Sequence, residues 1–303
     1  MGTRGAPSAP SGLRIWLMAA RVRTLPAAAS PVLVGTALAG YEHVFHPLRF
    51  LAALVGALFI QIGTNLSNDY SDARRGADTE DRLGPVRVTA GGLVPPRRVL
   101  VATYLTFGVA VLAGVYLIVV AGWQLLLVGA ASILAGVLYT GGPRPYGYEG
   151  LGEVFVFLFF GIVAVAGSYF VQVKHLQWEA FALAVPVGLL AAAILVVNNV
   201  RDIASDRRAG KRTLAVRLGR HRSRNMLALI VYLAFLLALV SWVFGPLTPW
   251  LLLSWLSLPI AARVVRTVRN RADGPSLNRA LGRSGLLQLV FCLLLSGGVL
   301  LSR

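Results

Sequence analysis

Asn65–Arg87 reads NLSNDYSDARRGADTEDRLGPVR. Four aspartates and one glutamate (Asp69, Asp72, Asp78, Glu80 and Asp81), five of the chain's twelve acids, stand here directly behind an apolar run over 50–68. Asn65, Asp69 and Asp72 are spaced i, i+4, i+7, so a helix continuing out of that run projects all three from one face. Such a face is a place to hold a cation. An acid at bilayer depth costs about 2.5–3.5 kcal/mol on insertion scales, so a compensating partner is expected. Further on, Gly76, Gly84, Pro85, Gly91 and Gly92 preclude long regular structure while Asp78, Glu80, Asp81, Arg82 and Arg87 keep the segment charged. It reads as a flexible cap.

The surroundings are those of a membrane. Hydrophobic residues make up 56% of the 303 and charged residues 14%, with a mean hydropathy of +0.70. A span needs roughly 20 apolar residues in a helix, and nine such runs occur, at about 14–40, 50–68, 98–120, 123–140, 152–173, 179–199, 223–244, 248–268 and 284–302. The expected fold is therefore all-α: a polytopic bundle of nine transmembrane helices around a central cavity open to the cytoplasmic side. Residues 1–12, rich in Gly, Pro and Ser, are expected to be disordered, and 13–303 to form a single transmembrane domain. The first run is longer than a signal-peptide core and has no small-residue cleavage site, so it counts as a retained span. Pro26 and Pro31 should kink it or break its inner part.

The net charge of +17 is explained by topology. With the N-terminus cytoplasmic, 26 of the 29 basic residues fall in inner segments, against Arg49, Lys174 and Arg303 outside. That is the positive-inside pattern, so no nucleic-acid partner is needed; the basic excess meets anionic lipid headgroups and attracts anionic substrates. The lone Cys292 rules out an intrachain disulfide and a cysteine-based metal site.

A second acidic centre ends the sixth run, in NNVRDIASDRRAGKRTLAVRLGR (198–220). Asn198, Asp202 and Asp206 repeat at i, i+4, i+8, and Asp206-x3-Gly210 echoes Asp72-x3-Gly76. Four spans apart, the two helices run in the same direction, as in an internal duplication whose equivalent helices face each other. Opposed carboxylates repel unless a cation lies between them, and ligands that are all oxygen select Mg²⁺, Mn²⁺ or Ca²⁺. Mg²⁺ favours one or two carboxylates plus phosphate oxygens, which points to a diphosphate. Arg74, Arg144, Arg201, Arg207, Lys211 and Arg212 could neutralise its remaining charge. No phosphate loop of the nucleotide-binding types accompanies them. The loop between the two centres, YTGGPRPYGYEGLGE (Tyr139–Glu153), carries five glycines, with Arg144 between two prolines, and is suited to shaping a binding surface close to the backbone.

NDYSDARRGAD and DIASD, at the inner ends of spans two and six of nine, resemble the two Asp-rich motifs of the UbiA-type intramembrane prenyltransferases. Gly76–Arg87, Tyr139–Glu153 and Gly210–Gly219 further resemble the branch serving menaquinone biosynthesis. Gly76 stands where many relatives have a further Asp, with Asp78 two residues later. The resemblance implies Mg²⁺-dependent transfer of a polyprenyl group from polyprenyl diphosphate to 1,4-dihydroxy-2-naphthoate, with loss of its carboxylate, in the inner membrane. It implies Asp69, Asp72, Asp78, Asp202 and Asp206 on metal, and Asn65, Asn68, Arg74, Asn198, Arg201 and Lys211 on diphosphate. Lys211, Arg144, Tyr139 and Glu153 would be the catalytic set, the last two near the aromatic acceptor. Another aromatic acceptor is the alternative within the class. A transporter is the alternative outside it, disfavoured because the acids gather at one surface with no matching polar gate at the other.

Overall fold

A backbone in hydrocarbon has no water to bond, so each of its amides must be satisfied within its own segment. The computed structural model describes residues 11–77, 83, 84 and 86–303, and all regular structure among them is helical. Asp78, Glu80, Asp81, Arg82 and the expected disorder up to residue 10 lie outside the described residues; helix already begins at Gly12.

The first span is split into α1 (Gly12–Ala20) and α2 (Leu25–Tyr41). Its break lies at Arg21, in the left-handed region (φ 51°, ψ 56°), with a 3-10 turn at Val22–Thr24. The inner part of the span is thus broken as expected, just before Pro26, which occupies the first turn of α2, where no amide donor is needed; Pro31 is carried inside that helix. There follow α3 (Pro47–Arg74), α4 (Pro96–Ala121) and α5 (Gln124–Leu138). The fifth span is α6 (Gly152–Phe157), a π-helical turn (Leu158–Val163) and α7 (Ala164–Val173). Then come α8 (Trp178–Arg208), α9 (Leu214–Val243), a 3-10 stretch (Pro249–Ser257) leading into α10 (Leu258–Asn270), and α11 (Gly274–Leu301).

Eight of these spans are long and apolar enough to cross a bilayer. The ninth, α5, has 15 residues and reaches only about 22 Å at 1.5 Å per residue. Its end is finished by the glycine-rich loop: the Tyr146 hydroxyl donates to the Ala135 carbonyl at 2.8 Å, one of the four carbonyls a helix terminus leaves unpaired.

α8 lies at the centre, with Leu183, Val187, Leu190, Val197 and Val200 inaccessible or nearly so. A helix apolar on all sides belongs inside. On α4, by contrast, Leu105, Leu112 and Val119, at heptad spacing, are 67%, 71% and 80% exposed. A stripe of that size facing outward suits lipid. Cys292 is packed inside the bundle.

The fifth span meets α8 at two glycines. A Cβ on Gly161 would lie 2.5 Å from the Gly188 Cα, and one on Gly188 would lie 2.8 Å from the Phe157 carbonyl oxygen. Backbones approach this closely only where side chains are absent. Gly188→Val is expected to lower stability by about 1–3 kcal/mol, the usual overpacking penalty. An unchanged melting temperature in detergent would contradict that contact.

Candidate active site

A cavity of about 540 Å³ runs between α2, α3, α4, α5, the fifth span and α8. Its deep part is apolar, lined by Val111, Ile118, Leu126, Ile133, Phe159 and Val163, and Gly114 and Gly129 widen it. Its other end is polar and collects Asn65, Asn68, Asp72, Arg87, Asn198, Asp202, Asp206 and Lys211, with Tyr139 and Tyr148. Arg21, freed by the break in the first span, reaches it, whereas Arg23 stays exposed.

Two identical helix endings build this polar end. α3 ends with Gly76 at φ 65°, the Gly76 amide on the Ala73 carbonyl (3.1 Å) and the Ala77 amide on the Asp72 carbonyl (3.0 Å). α8 ends with Gly210 at φ 73°, the Gly210 amide on Arg207 (3.2 Å) and the Lys211 amide on Asp206 (2.8 Å). Both are Schellman endings, which need a residue free to take positive φ. The Asp-x3-Gly echo in the sequence is therefore a helix stop placed one turn beyond an acid. The second stop turns Lys211 back over the cavity.

Asp72, 1% exposed, is the anchor. Its carboxylate accepts from Arg87 at 3.0 Å and from the Tyr148 hydroxyl at 2.6 Å, and lies 3.2 Å from the Lys211 ammonium. That ammonium also stands 4.7 Å above the Tyr148 ring, and the Tyr148 carbonyl accepts the Arg212 amide at 2.8 Å. The two acidic motifs and the glycine-rich loop thus close on one carboxylate. The resemblance did not assign Tyr148 or Arg87 to the site, although both fall within the segments that carried it.

On the α8 side, Arg201 is buried and grips Asp202 in a fork, Nε to Oδ1 at 2.7 Å and Nη2 to Oδ2 at 2.5 Å. It also donates to Asn198 and to Asn278 of α11, each at 2.8 Å. Arg201 does not line the cavity; it positions Asp202 from behind. Asn68 accepts from the Thr140 hydroxyl at 2.8 Å, and Glu153 accepts from Asn199 at 2.9 Å. Glu153 stands behind Asn199 rather than on the wall, and its buried Oε2 has no hydrogen-bond partner among the described residues.

Besides Arg201 and Glu153, three more expected residues lie off the cavity wall. Asp69 faces away: its carboxylate accepts the amides of Val88 (3.1 Å) and Thr89 (2.9 Å), and it does not line the cavity. Asp69 lies about 100° round α3 from Asn68, at the flank of the face that Asn65, Asn68 and Asp72 present, and there the loop amides reach it. Its role here is to hold the loop that delivers Arg87. Arg74 is exposed, donating to the Tyr70 hydroxyl at 3.2 Å, and Arg144 is exposed on its proline-flanked turn. Asp69→Asn, which puts an amide donor against one of two amide donors, is expected to cost about 1–3 kcal/mol locally. The check is faster hydrogen exchange confined to residues 86–94, with turnover reduced less than for a cavity-facing acid.

Among the described residues no three His, Cys, Asp or Glu side chains gather closely enough to form a metal site alone. The donors present at the mouth, Asp72, Asp202 and Asp206 with the amides of Asn68 and Asn198, are all oxygen. They suit Mg²⁺, which usually takes one or two carboxylates and completes its shell with phosphate oxygens and water.

A helical membrane bundle holding an apolar cavity, closed at one end by carboxylates, amides and cations, defines an intramembrane protein that takes an amphipathic anion, charged head at the mouth and chain within. The chain belongs to the UbiA prenyltransferase family, whose profile matches residues 28–294. It is 42% identical over 288 residues to the 1,4-dihydroxy-2-naphthoate octaprenyltransferase of Mycobacterium tuberculosis, covering 94% of this chain and 96% of that one. To the protein of the same name from Escherichia coli it is 38% identical, covering 97% of each. Its fold is similar to that of a UbiA homolog from Archaeoglobus fulgidus bound to GPP and Mg²⁺, with TM-score 0.70 at 15% identity over 94% of this chain and 99% of that one.

Proposed function

We propose that the protein transfers a polyprenyl group from polyprenyl diphosphate to 1,4-dihydroxy-2-naphthoate with loss of CO₂, giving demethylmenaquinol. The observation that carries this reading is the junction of both acidic motifs on Asp72 and Lys211 above an apolar cavity. The acceptor follows from near full-length similarity to relatives named for it. In the reaction the allylic C–O bond to diphosphate breaks, a C–C bond forms to the naphthalene ring, and the carboxylate leaves as CO₂, restoring aromaticity.

Each part of the site has a task in that reaction. Lys211 and Arg87 meet the negative charge that grows on the departing diphosphate. Asp72, Asp202 and Asp206, with Asn68 and Asn198, would hold Mg²⁺, which when bound neutralises the same charge. The GPP and Mg²⁺ bound to the A. fulgidus homolog support this cofactor. Tyr139 and the Glu153–Asn199 pair would lie on the acceptor side, and the unpartnered Glu153 oxygen would take a naphthol proton through a bridging water. The apolar wall excludes water that would otherwise capture the electrophilic carbon.

The basic asymmetry of the sequence supports a cytoplasmic N-terminus, a cavity mouth facing the cytoplasm and residence in the cell's inner membrane. Purified protein given polyprenyl diphosphate, 1,4-dihydroxy-2-naphthoate and Mg²⁺ should release one CO₂ per prenylated product, and chelating the metal should abolish product. No product with any divalent metal refutes the activity, and product from other aromatic acids at equal rate refutes the acceptor.

A further inference from the structure

A second polar hollow lies between the end of α10 and the first turns of α11, outside the cavity described above. Arg266, Arg271, Arg279 and Arg283 line it together with Asn270 and Asp273. All four arginines are exposed, and none has an ion-pair partner among the described residues. The single acid is committed elsewhere: Asp273 caps α11 by accepting the Ser276 amide at 2.8 Å, and that amide holds its carboxyl below the usual range. Arg279 donates to the Ser276 hydroxyl at 2.9 Å, which fixes its guanidinium at the rim. Arg224 of α9 donates to the Arg271 carbonyl at 2.5 Å and adds a fifth positive charge beside the hollow.

Topology explains why this loop is basic. It does not explain why four guanidiniums converge on one concavity with a single carboxylate, Asp273, among them, an excess of positive charge that an anion would relieve. Guanidinium forks match phosphate oxygens two at a time. The hollow's place decides which phosphate is present. α10 buries Ala261, Val264, Val265 and Val268 and exposes Arg263, Arg266 and Arg269, so its basic face leaves the bundle where two membrane spans join. That level is where lipid headgroups lie.

We propose that Arg266, Arg271, Arg279 and Arg283 form a binding site for the phosphate headgroup of an anionic phospholipid. Beside Arg279, Asn278 accepts from Arg201 and donates to the Leu83 carbonyl, each at 2.8 Å, which ties α11 to α8 behind Asp202.

Full-length protein is purified from vesicles of phosphatidylcholine containing graded phosphatidylglycerol, and retained lipid is counted by native mass spectrometry. Phosphatidylglycerol should be retained about tenfold more tightly than phosphatidylcholine, as expected for several arginines at a headgroup. Replacing all four arginines by Gln should remove that preference, and Arg279→Gln alone should weaken it several-fold. Gln at Arg14, Arg97, Arg98 and Arg222, an equal loss of exposed charge, should leave it intact. Equal loss in the two fourfold variants reduces the effect to net charge and overturns the proposal. Unchanged retention in Arg279→Gln and the fourfold site variant does the same. Displacement of the lipid by millimolar inorganic phosphate assigns the hollow to a soluble anion and overturns the lipid assignment.

Discussion

Asp202→Asn is expected to lower turnover by about two to three orders of magnitude, the usual cost of removing one preorganised group that stabilises transition-state charge. The amide keeps the shape of the carboxylate and one acceptor for the buried Arg201, so the fork loses one bond rather than its whole partner. Both Asp202→Asn and Asp202→Ala leave the buried guanidinium without its anion, at about 3–5 kcal/mol, and Asp202→Ala removes both acceptors of the fork as well. The two variants together separate chemistry from folding. Asp202→Asn should elute as a folded protein, at a melting temperature lowered less than that of Asp202→Ala, yet fail to consume prenyl diphosphate. Near-normal turnover at saturating Mg²⁺ would remove Asp202 from the metal set. Asp72→Asn should lose activity to a similar extent.

Lys211→Met is expected to reduce kcat/KM for prenyl diphosphate by about a hundredfold, because a cation meeting the leaving diphosphate is lost while the side-chain length is kept. Asp72 retains Arg87 and Tyr148, so the closure of the three segments survives. Tyr148→Phe should have a smaller effect, about 10–100-fold, since its hydroxyl acts only by orienting Asp72. Arg144→Met, on an exposed turn, should remain near unmodified activity. If Arg144→Met is the more damaging of the two cation variants, the loop closes differently during turnover and the assignment of Lys211 is wrong.

The difference between Lys211 and Arg144 shows where the sequence stopped being informative. Both are basic residues in segments rich in glycine and acids, and both were expected at the diphosphate. Lys211 follows a glycine stop on α8, and a stop with defined hydrogen bonds fixes the direction of the residue after it. Arg144 sits between prolines that fix its own backbone but say nothing of what lies across from it. Arg74 and Arg201 divide in the same way. One lies on an exposed helix face over Tyr70, and the other is buried behind Asp202, where its burial was legible only from the packing of Asn278 on α11.

The apolar runs, their length and the one-sided distribution of basic residues were enough to define nine spans, because a bilayer imposes helix on any backbone that crosses it. The Asp-x3-Gly repeat was enough to stop two of those helices one turn past an acid. Sequence periodicity also gives the angle between Asn65, Asn68, Asp69 and Asp72 around α3, but not the rotation of α3 about its own axis. That rotation is set by neighbours: Gly63 leaves room only for the Phe107 ring, and Gly136 of α5 leaves room only for Thr64. Only the tertiary structure therefore decided that Asn68 and Asp72 turn toward the cavity while Asp69 turns to the loop, because close packing between helices, not spacing along one, selects the face that meets the substrate.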